Sequence, residues 1–104
     1  MFSVIYYFET QPGQSANFEA AWEELTRLIY IYEGSLGSRL HRTAENQYLA
    51  YAQWPDRETW AGSGNKLPDS AEELRARMRN SCTRIETLHE LELVRDLLQD
   101  RSHS

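Results

Sequence analysis

Two tryptophans flank a Pro-Asp turn in the stretch YAQWPDRETW, residues 51–60, and their types and spacing could hold a flat aromatic molecule. If residues 47–54 form a strand, alternate side chains share a face, so Ala50, Ala52 and Trp54 point the same way. Two alanines beside a tryptophan leave space between a sheet and the helices covering it. The pattern predicts a cavity walled by Trp54. The alternative is that the alanines only let a helix pack closely.

The opposite face of the same segment has a different composition. Leu49, Tyr51 and Gln53 mix apolar and polar groups, as the surfaces between protein subunits do. This face is therefore predicted to suit a partly polar, sheet-to-sheet dimer interface.

The remaining reactive side chains form no recognisable catalytic or metal-binding motif. The histidines, at positions 41, 89 and 103, are scattered, and Cys82 is the only cysteine, so no zinc site is expected. The stretch GSGNK lacks the spacing of a phosphate-binding loop or a dinucleotide fingerprint, and no G-x-S-x-G elbow occurs. The sequence therefore predicts neither a metal nor a nucleotide cofactor.

Composition and charge are those of a single globular domain. The 104 residues are 40% hydrophobic and 26% charged, which argues against disorder and against membrane spanning. Sixteen acidic and eleven basic residues give a net charge of -5, and the bases are interleaved with acids, so nucleic-acid binding is not expected. The N-terminus lacks a signal-peptide pattern and the lone cysteine cannot form an internal disulfide, which favours the cytoplasm.

Hydrophobic periodicity divides the chain into alternating strands and helices. The expected elements are a strand at 2–9, a helix from Ser15 to Gly34, strands at 35–42 and 47–54 joined by a TAEN hairpin, a short helix from Arg57, a helix from Ser70 and a strand at 86–96. The final segment also suits a helix. The order β-α-β-β-α calls for a closing strand, so the strand is preferred.

Capping residues mark where the helices should begin and end. Ser15 and Asp56 are the expected N-caps of the first two helices, and Gly34 is the left-handed stop of the first. Ser70–Glu73 has the form of a capping box. In the first helix, the predicted packing stripe comprises Phe18, Trp22, Leu25, Leu28 or Ile29, and Tyr32, and the opposite face carries an i,i+4 pair of Glu23 and Arg27. The buried stripe of the third helix is predicted to be Leu74, Met78 and Cys82.

Together these elements predict an α+β, ferredoxin-like fold of order β-α-β-β-α-α-β, with the helices on one face of an antiparallel sheet. The domain is expected to span residues 1–97. Residues 98–104 are predicted to be a polar C-terminal tail.

Five segments, in this order and spacing, resemble the antibiotic biosynthesis monooxygenase family. They are the opening strand with its Pro-Gly turn, FEAAWEELTRLI, GSLGSRLHR, YAQWPDRETW and SAEELRARM, which together cover nearly the whole chain. The resemblance implies a dimeric α/β barrel, a homodimer in which the sheets of two ferredoxin-like protomers pack together. It also implies a small-molecule cavity between the sheet and the helices of each protomer.

The resemblance implies an activity as well as a fold. The best-understood members oxygenate anthrones or quinols with dioxygen, without metal or flavin, so this chain is expected to be a cofactor-independent monooxygenase of a small aromatic substrate. A sister branch degrades haem. That branch needs an asparagine on the first strand and a histidine on the third helix; Tyr6 and a helix without histidine stand here, which excludes haem degradation.

The family's cavity residues carry over by position. His41, Trp54 and Arg75 match the family's types, and Trp60 stands where the family branch has tyrosine. Ala50 stands where the family has an asparagine that could hold substrate or peroxide. This departure leaves open whether the cavity catalyses or only binds.

The resemblance also assigns roles. His41, with an ordinary pKa of about 6.5, would be the base, and Arg75 would stabilise phenolate charge. Tyr6 and Trp54 would enclose the ring system. From the residues alone, His41 is better explained as a surface histidine on an edge strand, and Arg75 as a solvated partner of Glu72 or a neighbouring acid.

Two other functions remain open on this scaffold: a non-catalytic small-molecule-binding or stress-related protein, and a structural dimerisation module with a filled core. A cavity near Trp54 reached by both His41 and Arg75 would favour the enzyme. A cavity lined only by apolar groups would favour binding, and the absence of a cavity would favour the structural module.

Overall fold

Strands and helices follow each other in the predicted order β-α-β-β-α-α-β. The computed structural model describes residues 1–99. Its elements are β1 (Phe2–Thr10), α1 (Ser15–Tyr32), β2 (Gly37–Ala44), β3 (Gln47–Trp54), α2 (Arg57–Ala61), α3 (Ser70–Asn80) and β4 (Cys82–Glu92). The prediction of an α+β, ferredoxin-like fold is confirmed.

All four strands belong to one antiparallel sheet, in the order β2-β3-β1-β4. Alternate residues of β3 are buried, and the register of β1 on β3 places Tyr6 opposite Ala50 and Phe2 opposite Trp54. These side chains belong to the helix-side face, the face that the helices cover. The outer face carries Leu49 and its alternate neighbours, so the two predicted faces of β3 are confirmed.

Helix α1 follows the predicted apolar stripe. Phe18 and Leu25 are buried, the first among aromatic rings of the sheet and the second against α3. Arg27 and Glu23 form the expected i,i+4 ion pair on the exposed side, with 2.7 Å between Nη2 and Oε2. The helix ends just before Gly34, whose φ of 82° is the left-handed conformation predicted for the stop.

Only one of the three predicted N-caps forms. Asp56 caps α2, because its Oδ1 accepts the backbone N–H of Thr59 at 2.7 Å. Ser15 is instead the first residue of α1, and its hydroxyl donates to Oδ1 of Asn46 at 3.2 Å. Ser70 likewise begins α3 without a side-chain cap hydrogen bond, so the predicted capping box is wrong. Both serines lie one residue inside the helix that they were expected to precede.

The predicted hairpin is confirmed, but its first strand is shifted. The strand starts at Gly37 rather than at residue 35, because Ser35 belongs to the connection from α1, where its Oγ accepts the backbone N–H of Gly37 at 3.0 Å. It continues to Ala44, past the predicted end at residue 42. The turn is correspondingly tighter than predicted, and Asn46 adopts a φ of 63° within it.

The last strand begins earlier than predicted. It spans Cys82–Glu92 rather than 86–96, because Ser81 closes α3 with hydrogen bonds to its last turn and the chain enters the sheet at once. Cys82 is paired with Thr10 of β1 and is not part of the helix. The predicted buried stripe of α3 is therefore wrong for Cys82, which belongs to β4.

Beyond β4, the chain has no regular secondary structure as far as residue 99. The division into a domain of residues 1–97 and a tail of residues 98–104 stays a prediction, and residues 100–104, with the third histidine, lie outside the described residues. Within residues 1–99, no helix is long and apolar enough to cross a bilayer.

The Cys82 thiol should react slowly with alkylating reagents. Burial raises its pKa from an ordinary 9.0 to about 11, and only the thiolate is nucleophilic. At about pH 8, the thiolate fraction is then about a hundredfold smaller than that of an unperturbed thiol. We expect iodoacetamide, followed by mass spectrometry, to label native protein about a hundredfold more slowly than urea-unfolded protein. Equal rates would contradict the burial of this thiol.

Candidate functional site

A cavity of about 180 Å³ lies between α1 and the helix-side face of the sheet. Its lining comes from all four strands, from α1 and α3, and from the connection before β2. Its aromatic walls are Tyr6, Phe8, Trp22 and Trp54. Its remaining walls are mainly aliphatic, so a flat apolar molecule is the ligand that this surface suits.

Ala52 provides much of the room in the cavity. It is buried, with 7% of its surface exposed, and its methyl group lines the space beneath α1. Ala50, two residues earlier, is also buried but does not line the cavity, because it is enclosed by Phe8, Phe18 and Tyr48. A cavity does lie beside Trp54, as predicted. Of the two alanines, only Ala52 lines it, and Ala50 packs within the hydrophobic core.

Sequence reasoning missed part of the α1 wall. The stripe of this helix was predicted to be packing, yet Trp22 and Thr26 both line the cavity and both are only half-buried. They lie four residues apart and so share one face of the helix. The sequence did contain one signal of this wall: Thr26 places a hydroxyl on an otherwise apolar helix face, which a helix that only packs against the core does not require.

Few polar atoms face this cavity, and most are already hydrogen-bonded. Ser38 Oγ donates to the carbonyl of Tyr51 at 2.9 Å, and Ser35 is engaged at the start of β2. Trp54 also lines the cavity, and its Nε1 is buried without a hydrogen-bond partner among the described residues. A buried donor without an acceptor costs about 1–3 kcal/mol, so a ligand oxygen that reached it would stabilise the complex.

Tyr6 is the one ionisable residue in the described lining. Burial raises the pKa of its phenol, the nearby Glu90 carboxylate raises it further, and a hydrogen bond from Trp60 opposes these effects. The phenol is therefore neutral and acts as a donor at neutral pH. Within residues 1–99, the cavity wall offers no group that would accept a proton from a substrate at that pH.

The structure brings three of the six predicted site residues together and leaves three outside the cavity: His41, Arg75 and Ala50. Trp54 and Tyr6 line the cavity, and Trp60 joins them through a 2.8 Å hydrogen bond from its Nε1 to the Tyr6 hydroxyl. His41 is opposite Leu49 in the sheet, so it lies on the outer face and is exposed. It therefore does not reach the cavity.

Arg75 also lies outside the cavity. Its Nη1 is 3.4 Å from Oε1 of Glu72, the surface pairing that the residues alone suggested, and its guanidinium lies beside the backbone of Gly64. The cavity is thus not reached by the predicted pair of charged side chains. No group of three histidine, cysteine or acidic side chains suited to a metal ion occurs in residues 1–99.

Comparison with solved structures places this fold among small α+β proteins. Rv0793 from Mycobacterium tuberculosis superposes with a TM-score of 0.72 at 14% identity, covering 93% of this chain and 98% of that one. SnoaB, a cofactor-independent oxygenase from Streptomyces nogalater, gives 0.74 at 16% identity, with 94% and 97% covered. At these identities the likeness shows the fold alone. A search of curated proteins finds no match.

The sequence itself carries a stronger indication than these structural neighbours. The family model for antibiotic biosynthesis monooxygenases matches residues 1–66, more than half of the chain and including β1, α1, the β2–β3 hairpin and α2. This chain therefore belongs to the antibiotic biosynthesis monooxygenase family.

Proposed function

We propose that the protein is a cofactor-independent monooxygenase that acts with dioxygen on a small aromatic substrate bearing a phenol or carbonyl oxygen. The observation that carries the proposal is the cavity: it has aromatic walls, and the buried Trp54 N–H beside it has no acceptor among the described residues. Family membership supports the reaction type, as does the likeness to SnoaB.

The size of the cavity favours a substrate of one or two rings. A cavity of about 150 Å³ in another protein is large enough to bind benzene, and this one is slightly larger at about 180 Å³. A tricyclic anthrone would have to extend beyond it. A hydroquinone or naphthalenediol is therefore the better candidate substrate.

The chemistry depends on the substrate, and the protein supplies a dry, shaped environment. An electron-rich phenolate can pass an electron to dioxygen, after which the two radicals combine at carbon and a water molecule is lost. Overall, 1,4-naphthalenediol and dioxygen give 2-hydroxy-1,4-naphthoquinone and water. The described cavity wall holds no base, so on this proposal the phenol proton leaves to solvent before the ring is enclosed. Hydrogen-bond donors beside the cavity then stabilise the oxyanion.

Oxygen-18 labelling tests the proposal directly. Incubated with 1,4-naphthalenediol and labelled dioxygen, the protein should consume oxygen faster than buffer alone and yield hydroxynaphthoquinone carrying one labelled oxygen. Heat-denatured protein is the control for spontaneous oxidation, which gives naphthoquinone and hydrogen peroxide without incorporating label. The proposal fails if only the unlabelled quinone forms, at the rate seen in buffer.

A non-catalytic binding protein is the second candidate, and the shortage of reactive groups favours it. Neither His41 nor Arg75 lines the cavity, and among its described lining residues the one ionisable side chain is a neutral phenol. On this alternative the naphthalenediol binds in calorimetry but is not oxygenated. The labelling experiment and a binding titration on the same sample separate the two functions.

We also propose that the protein forms a homodimer through the outer faces of two sheets. Leu49, Tyr51 and Ile5 are only half-buried on this face, and Leu91 is 39% exposed, so the face offers apolar surface for a second copy. His41 would then lie at the interface. Light scattering at micromolar concentration should give twice the 12.2 kDa mass of one chain. A mass of 12.2 kDa would refute the dimer.

A further inference from the structure

The hydroxyl of Tyr6 sits between the cavity and α2, with one of its two hydrogen-bonding roles unused. Its side chain lines the cavity, and its oxygen accepts the indole N–H of Trp60 at 2.8 Å. Its own O–H donates to no acceptor among residues 1–99. A tyrosine hydroxyl can donate and accept at once, so this proton is available to a bound molecule.

Trp60 is well fixed for a residue on such a short helix. Its ring lies 5.5 Å from that of Phe2, and its carbonyl accepts the hydroxyl of Ser63 at 2.6 Å. Asp56 caps the same helix. These contacts hold the indole in place, and through it they restrict where the Tyr6 hydroxyl can point.

We infer that Tyr6 selects ligands bearing a carbonyl or phenol oxygen, and that Trp60 positions the Tyr6 hydroxyl to donate to that oxygen. The inference rests on the proposed function for the location of the ligand, but it concerns recognition and not oxygenation. A ligand without an oxygen cannot accept this hydrogen bond, and the missing bond is the physical source of the selection. Tyr6 would be the specificity-determining residue, and Trp60 a positioning residue.

A pair of ligands that differ only in one oxygen tests the selection. 1-Indanone offers a carbonyl that can accept but not donate, and indane has the same ring system without it. Calorimetry gives the dissociation constant of each with the full-length protein. The quantity of interest is the ratio of the two constants, because it cancels the contribution of ring burial.

Three variants then locate the source of the preference. Tyr6→Phe should lower the preference for 1-indanone about tenfold, the effect of one neutral hydrogen bond, while leaving the affinity for indane unchanged. Trp60→Phe keeps the packing on Phe2 but removes the N–H, and should lower the preference about threefold. Tyr7→Phe is the matched control: Tyr7 lies on the outer face and donates to Glu9, so the ratio should not change.

Several outcomes would overturn the inference. An unchanged ratio in Tyr6→Phe would exclude hydrogen bonding by Tyr6, and equal weakening of both ligands would reduce it to a packing residue. Failure of the wild-type protein to bind either ligand would also overturn it. By contrast, selective binding without oxygen-18 incorporation would refute the proposed oxygenase and support the recognition by Tyr6.

Infrared spectroscopy provides a second measurement in case Tyr6→Phe does not fold. The carbonyl band of 1-indanone bound to wild-type protein should lie at a lower wavenumber than in hexane, as a hydrogen-bonded carbonyl does. In Trp60→Phe, the band should lie between its position in the wild-type protein and its position in hexane. A wild-type band at the hexane position would overturn the inference without any variant.

Discussion

Replacing Ala52 with phenylalanine should weaken the binding of a one- or two-ring aromatic ligand by about a hundredfold. The Ala52 methyl lines the cavity, and a benzyl group there would occupy space that a ligand ring needs. Burying one aromatic ring contributes about 3 kcal/mol, and every 1.4 kcal/mol corresponds to a tenfold change in affinity. Calorimetry with 1-indanone measures the loss directly, and oxygen-18 incorporation should fall with it if the oxygenase proposal is correct.

The folded state should tolerate this substitution. Phenylalanine is favourable in a strand, and its ring would enter the existing 180 Å³ cavity without displacing packed side chains. Urea denaturation should therefore give a free energy of unfolding within about 1 kcal/mol of the wild-type value.

Ala50→Phe is the matched control, two residues along the same face of β3. Ala50 is 1% exposed and enclosed by aromatic rings, so overpacking should destabilise this variant by about 1–3 kcal/mol. If Ala52→Phe is destabilised as strongly, or still binds 1-indanone with wild-type affinity, the cavity does not lie where this structure has it.

The contrast between the two alanines also bears on the departure of this chain from its family. The resemblance places Ala50 where an asparagine would hold substrate or peroxide, but here its methyl is buried among aromatic rings away from the cavity. A polar role at this position is therefore absent from this chain. Trp54 and Tyr6, which line the cavity, each carry a donor that has no acceptor among the described residues.

The position of His41 shows how a strand register limits inference from sequence. Strands at 35–42 and 47–54 joined by a four-residue turn would pair His41 with Tyr48, on the helix-side face. The structure has an irregularity between Arg42 and Ala44, which pairs His41 with Leu49 instead. A shift of one residue moves every side chain of a strand to the other face, so this small local feature removes His41 from the cavity. Alternation along the strand gives one sign of it: Leu40 packs against the core on the helix side, so its neighbour His41 belongs to the other face.

The two faces of β3 could be predicted because they depend only on local alternation. Trp54 and the alanines alternate with Leu49 and Tyr51 within eight residues, and a strand of any register preserves that pattern. The hydrogen bond from Trp60 to Tyr6 could not be predicted in this way, since it joins residues 54 positions apart. It exists because α2 returns over the end of β1, which is a property of the complete fold.

Phe18→Ala should cause the largest loss of stability among the substitutions considered. Phe18 is fully buried, and its ring centroid lies 4.9 Å from those of both Phe8 and Tyr48. Truncating such a ring removes its burial and leaves a void, at a cost of about 4 kcal/mol. Urea denaturation at a fixed protein concentration is the measurement, since an oligomer's stability depends on concentration.

Tyr30→Ala is the control on the same helix, because Tyr30 is 45% exposed and should change the free energy of unfolding by less than about 0.5 kcal/mol. A loss below about 2 kcal/mol for Phe18→Ala would contradict a close-packed aromatic cluster.

Phe18 also ties α1 to the sheet beside Phe8, which lines the cavity. We therefore expect the variant to weaken 1-indanone binding even where it remains folded, because the helix that roofs the cavity loses its aromatic anchor.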